Sequence, residues 1–127
     1  MKPRISRDSK VYFDDILMSI RKVERYTKGL KYDDFTKNDL IKDGVIRNLE
    51  IVGEAVKNIP QTIKTKHPKV EWKKIAGLRD ILIHEYFGIN LEIVWDIVKN
   101  KIPQLKKDIK DILKNTHKNK IYSRRSS

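Results

Sequence analysis

The stretch FTKNDLIKDGVIRNLEIVGEAVKNIP, Phe35 to Pro60, decides the fold. Val45, Leu49, Val52, Val56 and Ile59 recur there at i, i+4, i+7, i+11 and i+14, so one long apolar stripe runs down an α-helix. Thr36 and Asp39 have the spacing of a capping box, and Phe35 and Leu40 occupy the two staple positions, which predicts the start of the helix. It should end near Ile59, before Pro60. Asp43, Arg47, Glu50 and Glu54 form a polar stripe opposite the apolar one. Such a stripe is either a solvated face laced with i, i+4 pairs or the border of a site. Gly53 reads as a place where another helix can pack closely.

Working outward, Ser9 can cap a helix to about Lys28, with Phe13, Ile16, Leu17, Ile20 and Val23 on its apolar face and Gly29 as its stop. After Pro68, Trp72, Ile75, Leu78, Leu82 and Ile83 predict a third long helix over Val70 to Phe87, ended by Gly88. Asn90 is an N-cap for a shorter helix through about Lys101, carrying Leu91, Val94, Trp95 and Val98. Pro103 fits the first turn of a last helix in which Leu105, Ile109, Ile112 and Leu113 alternate with Lys106, Lys107, Lys110 and Lys114. No strand alternation persists. The expectation is one all-α bundle of about five helices.

Composition narrows the function. The 127 residues suffice for one core, and with 39% hydrophobic and 36% charged residues the chain reads as globular. The absence of cysteine removes disulfides and thiolate metal sites and fits a reducing cytoplasm. No secretory leader or membrane span is visible, so a soluble, cytoplasmic protein is expected. The net charge of +12 favours a polyanionic partner. Lys114, Lys118, Lys120, Arg124 and Arg125 contribute +5 of it without any acid nearby, and such a tail is either a frayed terminus or a nucleic-acid arm. His67, His84 and His117 are scattered with no metal-ligand spacing, and the five glycines form no phosphate-binding loop, so neither metal nor cofactor is expected.

What remains is GLRDILIHEYFG, Gly77 to Gly88, which gathers Arg79, His84 and Tyr86 within two turns. Seven residues apart, Arg79 and Tyr86 share a helical face to within about 20°. His84 lies about 140° around an ideal helix from Arg79, so the two converge only if the helix loosens or a second subunit supplies one of them. The residues alone also permit a plainer arrangement, with Arg79 paired to Asp80, Glu85 or another acid, His84 capping the helix and Tyr86 covering core.

Arg79-x4-His84-x-Tyr86 resembles the signature of HepT-like proteins in the HEPN superfamily, and Asp43-Gly44-Val45-Ile46-Arg47-Asn48-Leu49-Glu50-Ile51-Val52-Gly53-Glu54-Ala55 is similar to that family's second-helix pattern. Trp72 and Val94-Trp95 fall where the family has comparable residues, and Asp80 matches the polar residue usual after the arginine. The resemblance spans Asp8 to Leu113. It implies a HEPN domain over residues 1–115; the basic residues 116–127 fall outside it and are expected to form a flexible tail. It also implies a homodimer formed through the long central helices, with Arg79 and His84 of both subunits lining one cleft.

The activity implied is that of a metal-independent endoribonuclease toxin in a toxin–antitoxin system. A histidine, which titrates near ~6.5, can exchange protons with the 2′-hydroxyl and the leaving 5′-oxygen, while an arginine fork stabilises the charge developing on phosphorus. Asp80 beside the motif arginine, and Arg47, Asn48 and Glu54 from the second helix, would support the site. Tyr86 would accept AMP from a partner nucleotidyltransferase of the MNT type, which silences the toxin by placing negative charge where substrate phosphate must bind. Two alternatives stay open: a non-catalytic antagonist of a toxic nucleotidyltransferase, and a basic nucleic-acid-binding module. Trp72 and Trp95 could stack on bases, but their spacing favours core.

Overall fold

The computed structural model describes residues 5–84 and 90–126, with side chains over 5–82 and 90–115. Every regular element among the described residues is helical, so the expected all-α bundle is the one observed. The elements are α1 (Arg7–Thr27), α2 (Tyr32–Lys37), α3 (Asp39–Lys57), α4 (Gln61–Lys66), α5 (Trp72–Ala76), α6 (Leu78–His84), α7 (Leu91–Asp96), a π-helical turn (Ile97–Lys101) and α8 (Ile102–Ser126).

The long pair α1 and α3 forms the centre, with α5 and α6 laid against α3 and α8 against α1. Phe13, Ile16, Ile20 and Val23 of α1 meet Val45, Leu49, Val52 and Val56 of α3 in one fully buried cluster. These are the two stripes read from the sequence. Packing of such amphipathic faces, more than helix propensity, holds helices of this length together.

Two helix starts differ from their expected caps. Ser6, not Ser9, caps α1, its hydroxyl accepting from the Ser9 amide at 3.1 Å, while Ser9 itself is buried. Asn38, not Thr36, caps α3, its side chain accepting from the Ile41 amide at 3.0 Å. The cause is α2, a short helix absent from the sequence reading. Asp34 accepts from the Lys31 amide at 3.0 Å to start it, and Thr36 turns its hydroxyl back to the Asp33 carbonyl at 2.9 Å. Phe35 is then buried, its ring centroid 5.1 Å from that of Trp95, while Leu40 is 83% exposed; no staple forms between them.

The expected third helix begins at Trp72 and is interrupted at Gly77, giving α5 and α6; its expected last residues, 85–87, lie outside the described residues. Trp72 is core, as expected, and its indole N–H donates to the His67 carbonyl at 2.9 Å. Asn90 caps α7 as expected, accepting from the Glu92 amide at 2.9 Å. No loop separates α7 from α8. Pro103 has no N–H to offer the Lys99 carbonyl, and the chain widens into a π turn in which the Ile102 amide reaches back to Ile97. The α8 backbone stays helical through Ser126, so residue 115 marks no break in it. No helix among the described residues is long and apolar enough to cross a membrane.

Candidate active site

Gly53 determines where the site forms. A Cβ there would come within 3.1 Å of both the Arg79 amide nitrogen and the Ile75 carbonyl oxygen, and within 3.5 Å of the Ala76 carbonyl. Only a residue without a side chain lets the α5–α6 junction settle this closely onto α3, which is the close packing expected of Gly53. The next residue, Glu54, then meets the first turn of α6. Its Oε2 accepts from Arg79 Nε at 3.2 Å, with each side chain a little under half exposed (48% and 44%). Of the acids open to Arg79, the structure selects Glu54, which is 25 positions away in sequence but adjacent once α6 docks.

The pair lies at the edge of an open hollow of about 420 Å³. Helix α1 contributes Tyr12 and Asp15, α3 contributes Arg47, Glu50 and Glu54, and Asn58 follows the end of α3. Arg47 Nη1 is 3.9 Å from Glu50 Oε2, and the Asn58 amide donates to the Glu54 carbonyl at 2.9 Å. With Nε on Glu54, the terminal nitrogens of Arg79 make no ion pair among the described residues, and the side chain lines the hollow. Among the described residues, three carboxylates (Asp15, Glu50, Glu54) and two guanidiniums (Arg47, Arg79) line it, a formal balance of −1. This described lining can orient a phosphate at Arg79 but carries no surplus positive charge to attract a polyanion.

The site residues expected from the sequence separate into three groups. Arg79, Glu54 and Arg47 come together in the hollow. Asp80 is exposed in the first turn of α6 and does not line it. Asn48 is buried, donates to the Gly44 carbonyl at 2.8 Å and leaves its Oδ1 without a partner; it lies inside the helix packing and away from the hollow's wall. His84 ends α6, but its side chain lies outside the described residues, as does all of Tyr86. Tyr12, Asp15 and Asn58 did not emerge from the sequence. Tyr12, half-buried against the core, and the exposed Asp15 stand three apart on α1, a spacing shared by many pairs, and only the pairing of α1 with α3 gives it meaning. No group of three or more metal-ligating side chains occurs among the described residues.

This fold and hollow define an all-α protein whose motif arginine is clamped by a carboxylate from its central helix. Residues 16–112 match the family model described as "Ribonuclease HepT-like". The chain is 46% identical over 102 residues to a "Putative RNase" of Caldanaerobacter subterraneus, covering 80% of this chain and 91% of that one. It is 42% identical over 102 residues to a "Probable ribonuclease HepT" of Thermococcus cleftensis, covering 80% and 93%. A Methanocaldococcus jannaschii protein named "Gamma-glutamylcyclotransferase and putative RNase" is 45% identical over 114 residues, 90% of this chain, which spans about half (51%) of that relative's length. No solved structure matches. The chain belongs to the HepT-like ribonuclease family.

Proposed function

We propose that this chain is a metal-independent endoribonuclease toxin, cutting RNA at a composite dimer site built from Arg79 and His84. The observation that carries the reading is the Arg79–Glu54 clamp. One side of the guanidinium is occupied by a carboxylate, and the side chain borders a hollow wide enough for a phosphate and its flanking groups. Family membership supports RNA as the substrate.

In the proposed reaction the substrate's own 2′-oxygen attacks the adjacent phosphorus. One His84 takes the 2′-hydroxyl proton, a second protonates the departing 5′-oxygen, and Arg79 donates to the non-bridging oxygens as their charge grows. The products are a 2′,3′-cyclic phosphate and a free 5′-hydroxyl, with the protons balanced between the two histidines. Glu54 acts as a positioning residue, holding the guanidinium plane in one orientation, and Arg47 supplies a second cation on the same wall. A homodimer accounts for the two histidines and for the angular separation of Arg79 and His84 on one helix. It is also favoured by Val11 and Met18, 51% and 58% exposed and seven residues apart on α1, which flank Asp15 beside the hollow. A contact between two copies there would cover apolar surface and close the cleft.

The family resemblance supports regulation at Tyr86. A partner nucleotidyltransferase that attaches AMP there would add a phosphodiester charge that competes with substrate phosphate for Arg79. In an RNA cleavage assay with chelator present, wild type should cut, while Arg79→Ala and His84→Ala should not, with light scattering showing a dimer for all three. Cleavage that disappears with the chelator, or full activity from a monomer, would overturn the reading. Mass spectrometry after incubation with the partner and ATP should show AMP-sized increments on wild type and none on Tyr86→Phe.

A further inference from the structure

A second hollow, of about 560 Å³, lies at the C-terminal end of α3 and is lined by Lys57, Lys64, Lys73 and Lys74. Lys57 and Asn58, successive residues at the end of α3, line one hollow each. The Gly53 contact stands between them: Ala76 of the docked junction borders the lysine hollow, and Arg79, three residues on, borders the other. The lysines thus lie across the α5–α6 junction from Arg79.

The two hollows have opposite charge. Among the described residues Glu71 is the one acid lining the lysine hollow, which leaves a formal +3 against the −1 around Arg79. Glu71 is committed to Lys74 at 2.9 Å and Lys101 at 3.4 Å. Lys57, Lys64 and Lys73 have no carboxylate within ion-pair distance among the described residues, whereas Lys74 in the same hollow does pair. Lys66 and Lys69 flank the same segment, and His67 between them has its pKa lowered, first by burial and then by these two lysines. The floor is firm: Trp72 is buried and tied through its indole N–H to the His67 carbonyl. Trp72 is therefore unavailable for base stacking, and recognition here acts on the phosphate backbone.

We propose that this lysine hollow binds the phosphate backbone of single-stranded RNA next to the cleavage site and supplies the attraction that the acid-lined hollow around Arg79 lacks. The identity of the polyanion rests on the ribonuclease reading; the division of labour between the two hollows does not. Counterion release makes such contacts measurable, since each phosphate neutralised on a single strand adds about 0.7 to the slope of log affinity against log salt.

The test uses the full chain carrying Arg79→Ala, so that RNA is bound without being cut, with a fluorescent single-stranded oligonucleotide titrated at several salt concentrations. Adding Lys57→Gln, Lys64→Gln and Lys73→Gln together should lower the slope by about 2. The corresponding Lys→Arg triple should restore it, and circular dichroism should show both triples folded. An unchanged slope in the Gln triple overturns the proposal, as does an Arg triple that binds as weakly as the Gln triple. So does a Gln triple that binds RNA normally but no longer co-purifies with the partner nucleotidyltransferase, which would assign the surface to a protein. If protein with Arg79 intact does not cut RNA but the slope falls as expected, the active-site reading fails and this one stands. If it cuts and the slope is unmoved, only this one fails.

Discussion

Two ion-paired places in this molecule are built from similar parts and do different things. At one, Glu54 holds Arg79 beside an open hollow. At the other, Glu71 sits between Lys74 and Lys101, joining the start of α5 to the π turn. The Glu71 carboxylate is surrounded by its cations, and its pKa is lowered, chiefly by the hydrogen bond from Lys74 and then by that from Lys101. Arg79 is the reverse case: one carboxylate takes Nε, and the rest of a planar fork is left over. An ion pair that uses up its partners fastens elements together. One that leaves donors unspent, in a fixed orientation, can act on something else.

The sharpest way to break that contrast is at Arg79. Arg79→Ala should lower kcat by about 10²–10³, the loss typical of one transition-state donor, with no change in melting temperature beyond error. Arg79→Lys should recover little, because an ammonium on a flexible stem lacks the fork. A fully active lysine variant would reduce the Glu54 clamp to a surface pair. Next in size is Gly53→Ala. The new methyl must push back an amide and a carbonyl at 3.1 Å, so the α5–α6 junction should shift, with a stability loss of about 1–3 kcal/mol in denaturant melts and a fall in activity alongside it. An alanine variant as stable and active as wild type would show that the close approach does not position Arg79.

Glu54→Gln should cost about tenfold in kcat, roughly 1.4 kcal/mol in the barrier, while KM and thermal stability barely move. The stability part is small because both partners are nearly half exposed. A fall in stability without a fall in kcat would make Glu54 a fastener like Glu71. The smallest effect belongs to Glu71→Gln, which should slightly lower the melting temperature at neutral pH and tighten RNA binding at low salt by removing an acid from the lysine hollow. Its folded pKa lies below the ordinary carboxylate value, so its contribution is present above that value and lost as pH falls through the lowered one. Melts of wild type and variant should therefore converge in acid.

Legibility differed between regions for physical reasons. The stripes of α1 and α3 could be read because burial imposes the helical period on many residues at once, and single deviations do not hide it. The caps were misread where a short helix intervened. In α2, six residues are too few to show a period, and burial of Phe35 under Trp95 holds them in place. The site was half legible. Arg79, Arg47 and Glu54 stood out by motif, stripe and resemblance, whereas Tyr12 and Asp15 carried no mark of their own.

The sequence by itself determined that the chain is all-helical, which faces of its long helices are buried, that Gly53 admits a close neighbour and which arginine belongs to the motif. These are local matters, because periodicity and the absence of a side chain act within a few residues of where they are written. Only the tertiary structure decided that Glu54 is the acid Arg79 meets, that α1 completes the hollow, and that the acids and the free lysines divide into hollows of opposite charge. Those depend on distances between residues far apart in the chain, and such distances do not exist until the apolar stripes have packed.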